Sequence, residues 1–342
     1  MGVLIVMKKI LTLMVMLMVT AIFLSSCGGN SQGSQLPAGP ASGVPASEGL
    51  ASEGLASDGP TSEGPASAGP ASEGPASEGP ISQERPIVYA SFHAMYDFTK
   101  TIAGEAIQVE LLLPAGASAH HWEPSARDMA RLSDADAFIF HGAGMEHFTD
   151  ALQGSLGNQL IFVEASAAVE PGLAGADPHL WLNPLYALRM KETIKEALID
   201  IYEDGAYVFR ENFNEASYRL MELDAAFRQA ADDFVRRDIV VSHGAFGHLS
   251  HAYGLNQVTI EGLQVRIDPS PARMVDVIGF VRENGVTTIF YDKDPAIAQT
   301  VADATGVSVV MLDTFEGVTY DDYFTVMWRN LGVLVEALGA EQ

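Results

Sequence analysis

Apolar residues follow two different periods in the chain after residue 86. Short apolar runs, rich in β-branched and aromatic residues, are typical of buried strands. The predicted strands are 87–92, 107–113, 137–140, 160–163, 239–241, 257–260, 287–291 and 308–312. Between the runs, apolar residues recur every three or four positions, which predicts amphipathic helices. The predicted helices are 95–102, 126–133, 186–202, 206–235, 244–253, 271–284, 295–305 and 320–338.

Strands that alternate with helices are typical of parallel sheets covered by helices on both faces. Residues 86–342 are long enough for two modest lobes of this kind. The pattern therefore predicts an α/β fold of two lobes, each with a parallel β-sheet flanked by helices. The helix at 206–235 contains almost no helix breakers and would be roughly 45 Å long, enough to cross between the lobes. The alternative is a helical hairpin packed on one lobe.

The first 27 residues are predicted to be a lipoprotein signal peptide. Lys8 and Lys9 precede the apolar stretch 10–24, as in a secretory signal, and the stretch is too short for a spanning helix between polar domains. Residues 24–27 (LSSC) resemble a bacterial lipobox, in which Cys27 would be lipidated. The alternative is an uncleaved anchor. We expect an extracytoplasmic protein attached to the cell membrane through lipidated Cys27.

Residues 28–85 consist of variations on the repeat Ala-Ser-Glu-Gly-Pro. The segment has almost no branched or aromatic apolar residues, so it cannot bury enough surface to offset its chain entropy. We interpret it as a disordered tether. The predicted organisation is thus a signal at 1–27, a tether at 28–85, an N-terminal lobe at 86–203, a linking helix at 204–236 and a C-terminal lobe at 237–342.

Composition narrows the possible chemistry. The chain carries a formal net charge of −25, and no cluster of Lys and Arg follows the signal, which argues against nucleic-acid binding. Cys27 is the one cysteine in the sequence, so the folded part has neither disulfides nor thiolate ligands. A metal site in this protein would therefore use nitrogen and oxygen donors.

Three histidines and one aspartate stand mostly where predicted strands end. His120 lies in a Gly/Ala/Ser loop after a strand, His243 and Asp313 each end one, and His179 follows a Gly-rich turn. In open α/β sheets, ligand groups collect beyond the carboxyl ends of strands. These four residues predict one mononuclear metal site drawn from both halves of the chain. An Asp at a strand end is also often only a turn former, and this alternative stays open for Asp313.

The other histidines are weaker candidates for metal ligands. His121 is expected to support the site or lie at the surface, and His248 and His251 to lie on a helix, while a minor role is left open for His93, His141 and His147. A metallohydrolase would need a general base near an open metal position, and Glu123 and Glu146 are the candidates. Motifs for a nucleophilic serine, a phosphate loop or a dinucleotide site are absent from the sequence.

Five segments together resemble the metal-binding solute-binding proteins of bacterial zinc and manganese ABC importers. They are residues 113–124 (LPAGASAHHWEP), 135–146 (ADAFIFHGAGME), 177–184 (DPHLWLNP), 242–247 (SHGAFG) and 321–331 (DDYFTVMWRNL). Two features depart from that family. Ser118 and Ala119 stand where the family usually has Asp-Pro before its first ligand. The sequence also lacks the His-rich acidic loop that zinc members often carry.

The resemblance implies two α/β lobes joined by one long rigid helix, with the metal ion in the inter-lobe cleft. It places the family's ligands on His120, His179, His243 and Asp313. It further implies a non-enzymatic protein, expected to be a monomer, that binds an ion and delivers it to an ABC permease. It would touch the membrane by its lipid anchor only. A metal-dependent surface adhesin of the same fold is the first alternative and a metallohydrolase the second.

The donor set favours Zn²⁺ over Mn²⁺. Three imidazoles and one carboxylate form a nitrogen-rich set, and imidazole suits zinc, whereas manganese favours carboxylate, carbonyl and water oxygens. In the family that the sequence resembles, manganese members often present a glutamate at the position of His243. Zinc is therefore the expected ion, and manganese is the alternative.

Overall fold

Two four-stranded parallel sheets organise the chain in the computed structural model, which describes residues 85–170, 177–263 and 269–339. The first sheet has the order β2-β1-β3-β4 and contains β1 (Ile87–Ala90), β2 (Gln108–Leu111), β3 (Ala137–Phe140) and β4 (Ile161–Glu164). The second has the order β6-β5-β7-β8 and contains β5 (Asp238–Val241), β6 (Asn256–Thr259), β7 (Thr288–Tyr291) and β8 (Ser308–Met311). The predicted fold class is confirmed.

Helices connect the strands of each sheet. Those of the first half are α1 (His93–Ala103), α2 (Ala126–Ser133), α3 (Thr149–Leu156) and α4 (Pro184–Ile201). The remaining helices are α5 (Ala206–Asp232), α6 (Gly247–Tyr253), α7 (Pro271–Glu283), α8 (Ala296–Thr305) and α9 (Tyr323–Leu338). Short 3₁₀ turns at Leu180–Leu182 and Glu203–Gly205 flank α4.

The inner strands are apolar because helices cover both of their faces. All four residues of β3, Ala-Phe-Ile-Phe, are buried, and β3 pairs with β1 on one side and β4 on the other. The outer strand β4 exposes Ile161 and Glu164. Continuous apolar runs at inner positions are typical of parallel sheets buried on both sides. Polar side chains that follow these strands therefore lie at the ends of the sheets and not on their faces.

Helix α5 contains 27 residues and is about 40 Å long. It packs along α4 and also contacts α1 from the first half and α6 and α9 from the second half. The hairpin of α4 and α5 is therefore not confined to one lobe. The buried face of α5 includes Phe209, Leu220, Leu223 and Phe227. One apolar core that includes these residues extends from Val88 to Leu338.

The boundaries differ from the predicted ones in a few places. Helix α3 was not expected, because it has eight residues of which Leu152 alone is buried, and so it shows no apolar period. Helix α6 begins three residues later than predicted, because the chain after His243 first makes a turn.

The predicted signal and nearly all of the tether lie outside the described residues, and the predicted domain boundaries stay a prediction. In the described ranges, no helix combines the length and apolar character needed to cross a membrane.

Candidate metal centre

The segment that carries His179 is held by hydrogen bonds from both halves of the chain. Nε2 of His141 donates to the carbonyl of Pro178 at 2.6 Å, and Nε2 of His248 donates to the carbonyl of Asp177 at 3.0 Å. Gly247, at the start of α6, lies so close to the Asp177 carboxylate that a Cβ at this position would overlap it. The backbone before His179 is therefore fixed before any ligand binds.

The ring of His179 is oriented by Asp177. Nδ1 of His179 lies 2.7 Å from Oδ1 of Asp177, and the same oxygen accepts the backbone N–H of His179 at 3.0 Å. This arrangement directs Nε2 of His179 away from Asp177 and toward Nε2 of His120, 3.2 Å away. A carboxylate on the far nitrogen of a histidine is a common way to orient a metal ligand.

His120 lies in the loop after β2 and is buried. The backbone N–H groups of His121 and Trp122 donate to the carbonyl of Ser118 at 3.2 and 3.0 Å, which closes the loop into a turn. Nδ1 of His121 lies 3.2 Å from the Ser118 hydroxyl, so His121 helps to hold the loop. Helix α2 begins after the loop with the capping box that Ser125 and Asp128 predicted.

His243 follows β5 directly and is also buried. Nε2 of His243 donates to the carbonyl of Leu263 at 3.1 Å. Nδ1 then faces two carboxylates, with Oδ2 of Asp292 at 3.3 Å and Oε1 of Glu316 at 3.7 Å. Two carboxylate oxygens close to one imidazole nitrogen form an environment that attracts a cation.

The fourth donor in this group is Glu316, whereas Asp313 lies outside it. Oδ1 of Asp313 accepts the backbone N–H of Phe315 at 2.8 Å, so the side chain forms a turn. Phe315 adopts a positive φ of 57°, which is uncommon for a residue with a side chain. Asn330 hydrogen-bonds both the N–H and the carbonyl of Asp313. The turn directs Glu316 back toward the histidines.

The four side chains His120, His179, His243 and Glu316 are all buried, and their donor atoms lie within 4.8 Å of one another. Oε1 of Glu316 is 3.3 Å from Nε2 of His179 and 3.6 Å from Nε2 of His120. A tetrahedral ion with bonds of about 2.0–2.1 Å has ligand atoms roughly 3.3–3.4 Å apart. The spacing of the donors therefore fits one four-coordinate zinc ion.

Burial and neighbouring charges shift the pKa values of His179 and Glu316 in opposite directions. Burial lowers the pKa of His179, but its hydrogen bond to the Asp177 carboxylate and the nearby carboxylate of Glu316 outweigh this effect and raise the pKa above 6.5. Burial raises the pKa of Glu316, but the neighbouring imidazoles of His120 and His179 and the charges of His243 and Lys293 hold it well below its ordinary value. Glu316 is therefore an ionised acceptor at neutral pH.

The remaining histidines and acids have identifiable positions. His93 is buried, with its ring 4.8 Å from that of Phe315, while His147 and His251 are exposed. Glu123 is exposed. Glu146 is buried and accepts hydrogen bonds from the Ser91 hydroxyl and from the backbone N–H groups of His141 and Gly142. Its carboxylate thus ties the loop after β3 to the loop after β1.

A cavity of about 540 Å³ reaches the donor group from the side of the second sheet. His120, His243 and Glu316 form part of its lining. The rest of the wall includes the acidic residues Glu261, Asp292 and Asp294 and the basic residue Lys293. Acidic walls raise the local concentration of cations, so this cavity is a suitable entrance for a metal ion.

Comparisons with known proteins identify this class of site. Residues 88–337 match the family model described as ZnuA, zinc-uptake complex component A, periplasmic. The zinc-binding lipoprotein AdcA of Streptococcus pneumoniae is 31% identical over 280 residues, which cover 74% of this chain and 56% of that protein. The chain belongs to the ZnuA family, as the motifs indicated. It spans little more than half the length of AdcA.

Solved structures agree with this assignment. The Zn(II)-bound ZnuA-like domain of Streptococcus pneumoniae AdcA is similar with a TM-score of 0.68 and 31% identity, covering 74% of this chain and 99% of that domain. The laminin-binding protein Lmb of Streptococcus agalactiae, described as an adhesin with metal-transporting activity, has a TM-score of 0.70 and 28% identity. The match covers 74% of this chain and 99% of the Lmb chain.

We predict that His141 stabilises the segment before His179 as a neutral hydrogen-bond donor. Burial lowers the pKa of His141 to about 3, so the ring is uncharged over the physiological range. The substitution His141→Phe should lower the free energy of unfolding by about 0.5–1.5 kcal/mol, because the carbonyl of Pro178 loses the His141 donor and keeps only the backbone N–H of Leu180 at 2.8 Å. Denaturant unfolding in the presence of a chelator measures this loss.

The matched control is His251→Phe, which makes the same substitution on the exposed surface of α6. It should change the free energy of unfolding by less than about 0.5 kcal/mol. Equal effects of the two substitutions would show that the bond from His141 to Pro178 does not stabilise the fold.

Proposed function

We propose that this protein captures Zn²⁺ outside the cytoplasm and delivers it to the permease of an ABC importer. The observation that carries the proposal is the convergence of four buried donors from distant parts of the chain on one point. The ligands would be His120, His179, His243 and Glu316, with Asp313 as the turn former that positions Glu316. The protein would act as a monomer attached to the membrane through lipidated Cys27, without enzymatic activity.

The donor set supports zinc over manganese. Three of the four donors are imidazole nitrogens, which suit zinc, and one is a carboxylate oxygen. The names of the relatives point in the same direction, since AdcA is described as a zinc-binding lipoprotein. Titration of the metal-free protein with Zn²⁺ should give tight binding with one ion per chain, and binding should be weaker for Mn²⁺.

Two isosteric substitutions test the identity of the fourth ligand. Glu316→Gln removes the anionic donor, so zinc affinity should fall by more than the ~10–100-fold typical for loss of a residue that only orients a ligand. Asp313→Asn keeps the oxygen that accepts the N–H of Phe315, so affinity should stay within a few-fold of the natural value. Competition with a chelator of known affinity measures both. The reverse order of effects would identify Asp313 as the ligand.

The pH dependence of zinc affinity should reflect the raised pKa of His179. A proton on Nε2 must leave before this nitrogen can bind the ion, so zinc affinity should begin to fall while the pH is still above 6.5. Asp177→Asn removes a carboxylate that raises this pKa, so the fall should begin at lower pH. Affinities between pH 5 and 8 measure the shift.

The control for this experiment is Asp232→Asn, which removes one negative charge from an exposed position at the end of α5. Its pH profile should match that of the natural protein. If Asp177→Asn also leaves the profile unchanged, Asp177 does not control protonation of His179.

Adhesion to a host surface protein is a second candidate function. It is favoured by the similarity to the laminin-binding protein of Streptococcus agalactiae. Saturable binding to immobilised laminin by the zinc-loaded protein, with no binding to albumin, would support it. Binding to both surfaces, or to neither, would remove this candidate and leave the transport function unaffected.

A further inference from the structure

The two oxygens of the Glu316 carboxylate have different neighbours. Oε1 faces the three histidines and accepts no hydrogen bond from any described residue. Oε2 lies 3.1 Å from Nζ of Lys293 and accepts its hydrogen bond. We propose that Lys293 determines metal specificity by restricting Glu316 to one coordinating oxygen. This inference rests on the proposed function, because it concerns the ion bound at the same site.

Lys293 is placed for this role by the end of β7. It follows Asp292, whose carboxylate contacts His243, and its Cε lies beside Gly317. The side chain of Lys293 is 49% exposed, while that of Glu316 is 2% exposed. The side chain of Lys293 therefore lies at the cavity wall, and its ammonium group reaches the buried carboxylate. Half exposure also means that Lys293 can be replaced without opening a cavity in the core.

The number of oxygens that Glu316 offers determines the coordination number of the ion. Three imidazoles and one oxygen supply four donors, which satisfy zinc. Hard cations that prefer oxygen ligands take higher coordination numbers and often bind both oxygens of a carboxylate. Oε2 would have to break its bond with Lys293 before it could become a fifth donor. The ammonium group therefore opposes the geometry that would favour manganese.

Charge and denticity can be separated experimentally. The positive charge of Lys293 repels every divalent ion at the site, and Zn²⁺ and Mn²⁺ carry the same charge in the same place. Loss of this charge alone would strengthen the binding of both ions by the same factor. A change in the ratio of the two affinities therefore reports on the coordination geometry, which a purely electrostatic or structural role of Lys293 would leave unchanged.

The test compares three variants of the full protein with the natural one. Lys293→Met removes the ammonium group and keeps most of the aliphatic stem, whereas Lys293→Arg keeps a cationic donor. Lys100→Met is the matched control, because Lys100 also pairs with a glutamate, Glu105, at 3.1 Å, in α1 and away from the donor group. Dissociation constants for Zn²⁺ and Mn²⁺ are measured by competition with a chelator.

In Lys293→Met, the affinity for Mn²⁺ relative to Zn²⁺ should rise about tenfold, as for the loss of other residues that orient a metal ligand. Lys293→Arg and Lys100→Met should keep the ratio of the natural protein. X-ray absorption should show four nitrogen or oxygen neighbours at about 2.0–2.1 Å around zinc in the natural protein. The manganese-loaded Lys293→Met variant should show one more oxygen neighbour than manganese in the natural protein.

Two results would overturn the role of Lys293 while leaving the proposed function intact. They are an unchanged ratio of the two affinities in Lys293→Met, which includes an equal gain for both ions, and a bidentate carboxylate around zinc in the natural protein. The second does not depend on any variant, so it decides the question even if Lys293→Met fails to fold. Failure of the natural protein to bind zinc at all would instead overturn the proposed function.

Discussion

The buried carboxylate of Glu316 is the constraint on which the site depends. An ionised carboxylate taken out of water is costly unless cations or hydrogen-bond donors surround it. Here three imidazoles face one oxygen and Lys293 binds the other. The carboxylates of Asp177 and Glu316 raise the pKa of His179, which favours its charged form beside Glu316. A bound ion would take over the neutralising role, so metal binding at this site is an exchange of protons for a metal ion.

The contacts around the donors keep the two halves of the chain together. His141, in the loop after β3, and His248, on α6, donate hydrogen bonds to adjacent carbonyls of the segment before His179. Nε1 of Trp181 donates to the carbonyl of Thr314 at 2.8 Å, and the hydroxyl of Tyr323 donates to the carbonyl of Trp181 at 2.7 Å. The first bond joins the segment after His179 to the loop that bears Glu316, and the second joins it to α9. The donors are thus held close together by neutral hydrogen bonds, which limits the reorganisation needed on binding.

Membership of the ZnuA family accounts for the fold, while two features depend on particular residues of this chain. The carbonyl and hydroxyl of Ser118 close the loop around His120 and His121. The acidic cavity leading to Glu316 is lined in part by Asp292 and Asp294, on either side of Lys293. The cavity wall therefore combines acidic groups that attract cations with one ammonium group that contacts the Glu316 carboxylate.

The sequence by itself located most of the elements and three of the four side chains that converge in the structure. The apolar period, the capping box of Ser125 and Asp128 and the glycines after α7 and α8 are local signals, and they located most helix and strand ends within one to three residues. His120, His179 and His243 were predicted because, in the sequence, they follow predicted strands or a Gly-rich stretch. Only the tertiary structure shows that Glu316, and not Asp313, lies beside the three histidines. The chain reverses at Phe315, whose positive φ is maintained by packing against His93 and Tyr323 and by Asn330 holding the backbone of Asp313. Those contacts join residues far apart in the chain, so no local pattern shows which carboxylate turns toward the histidines.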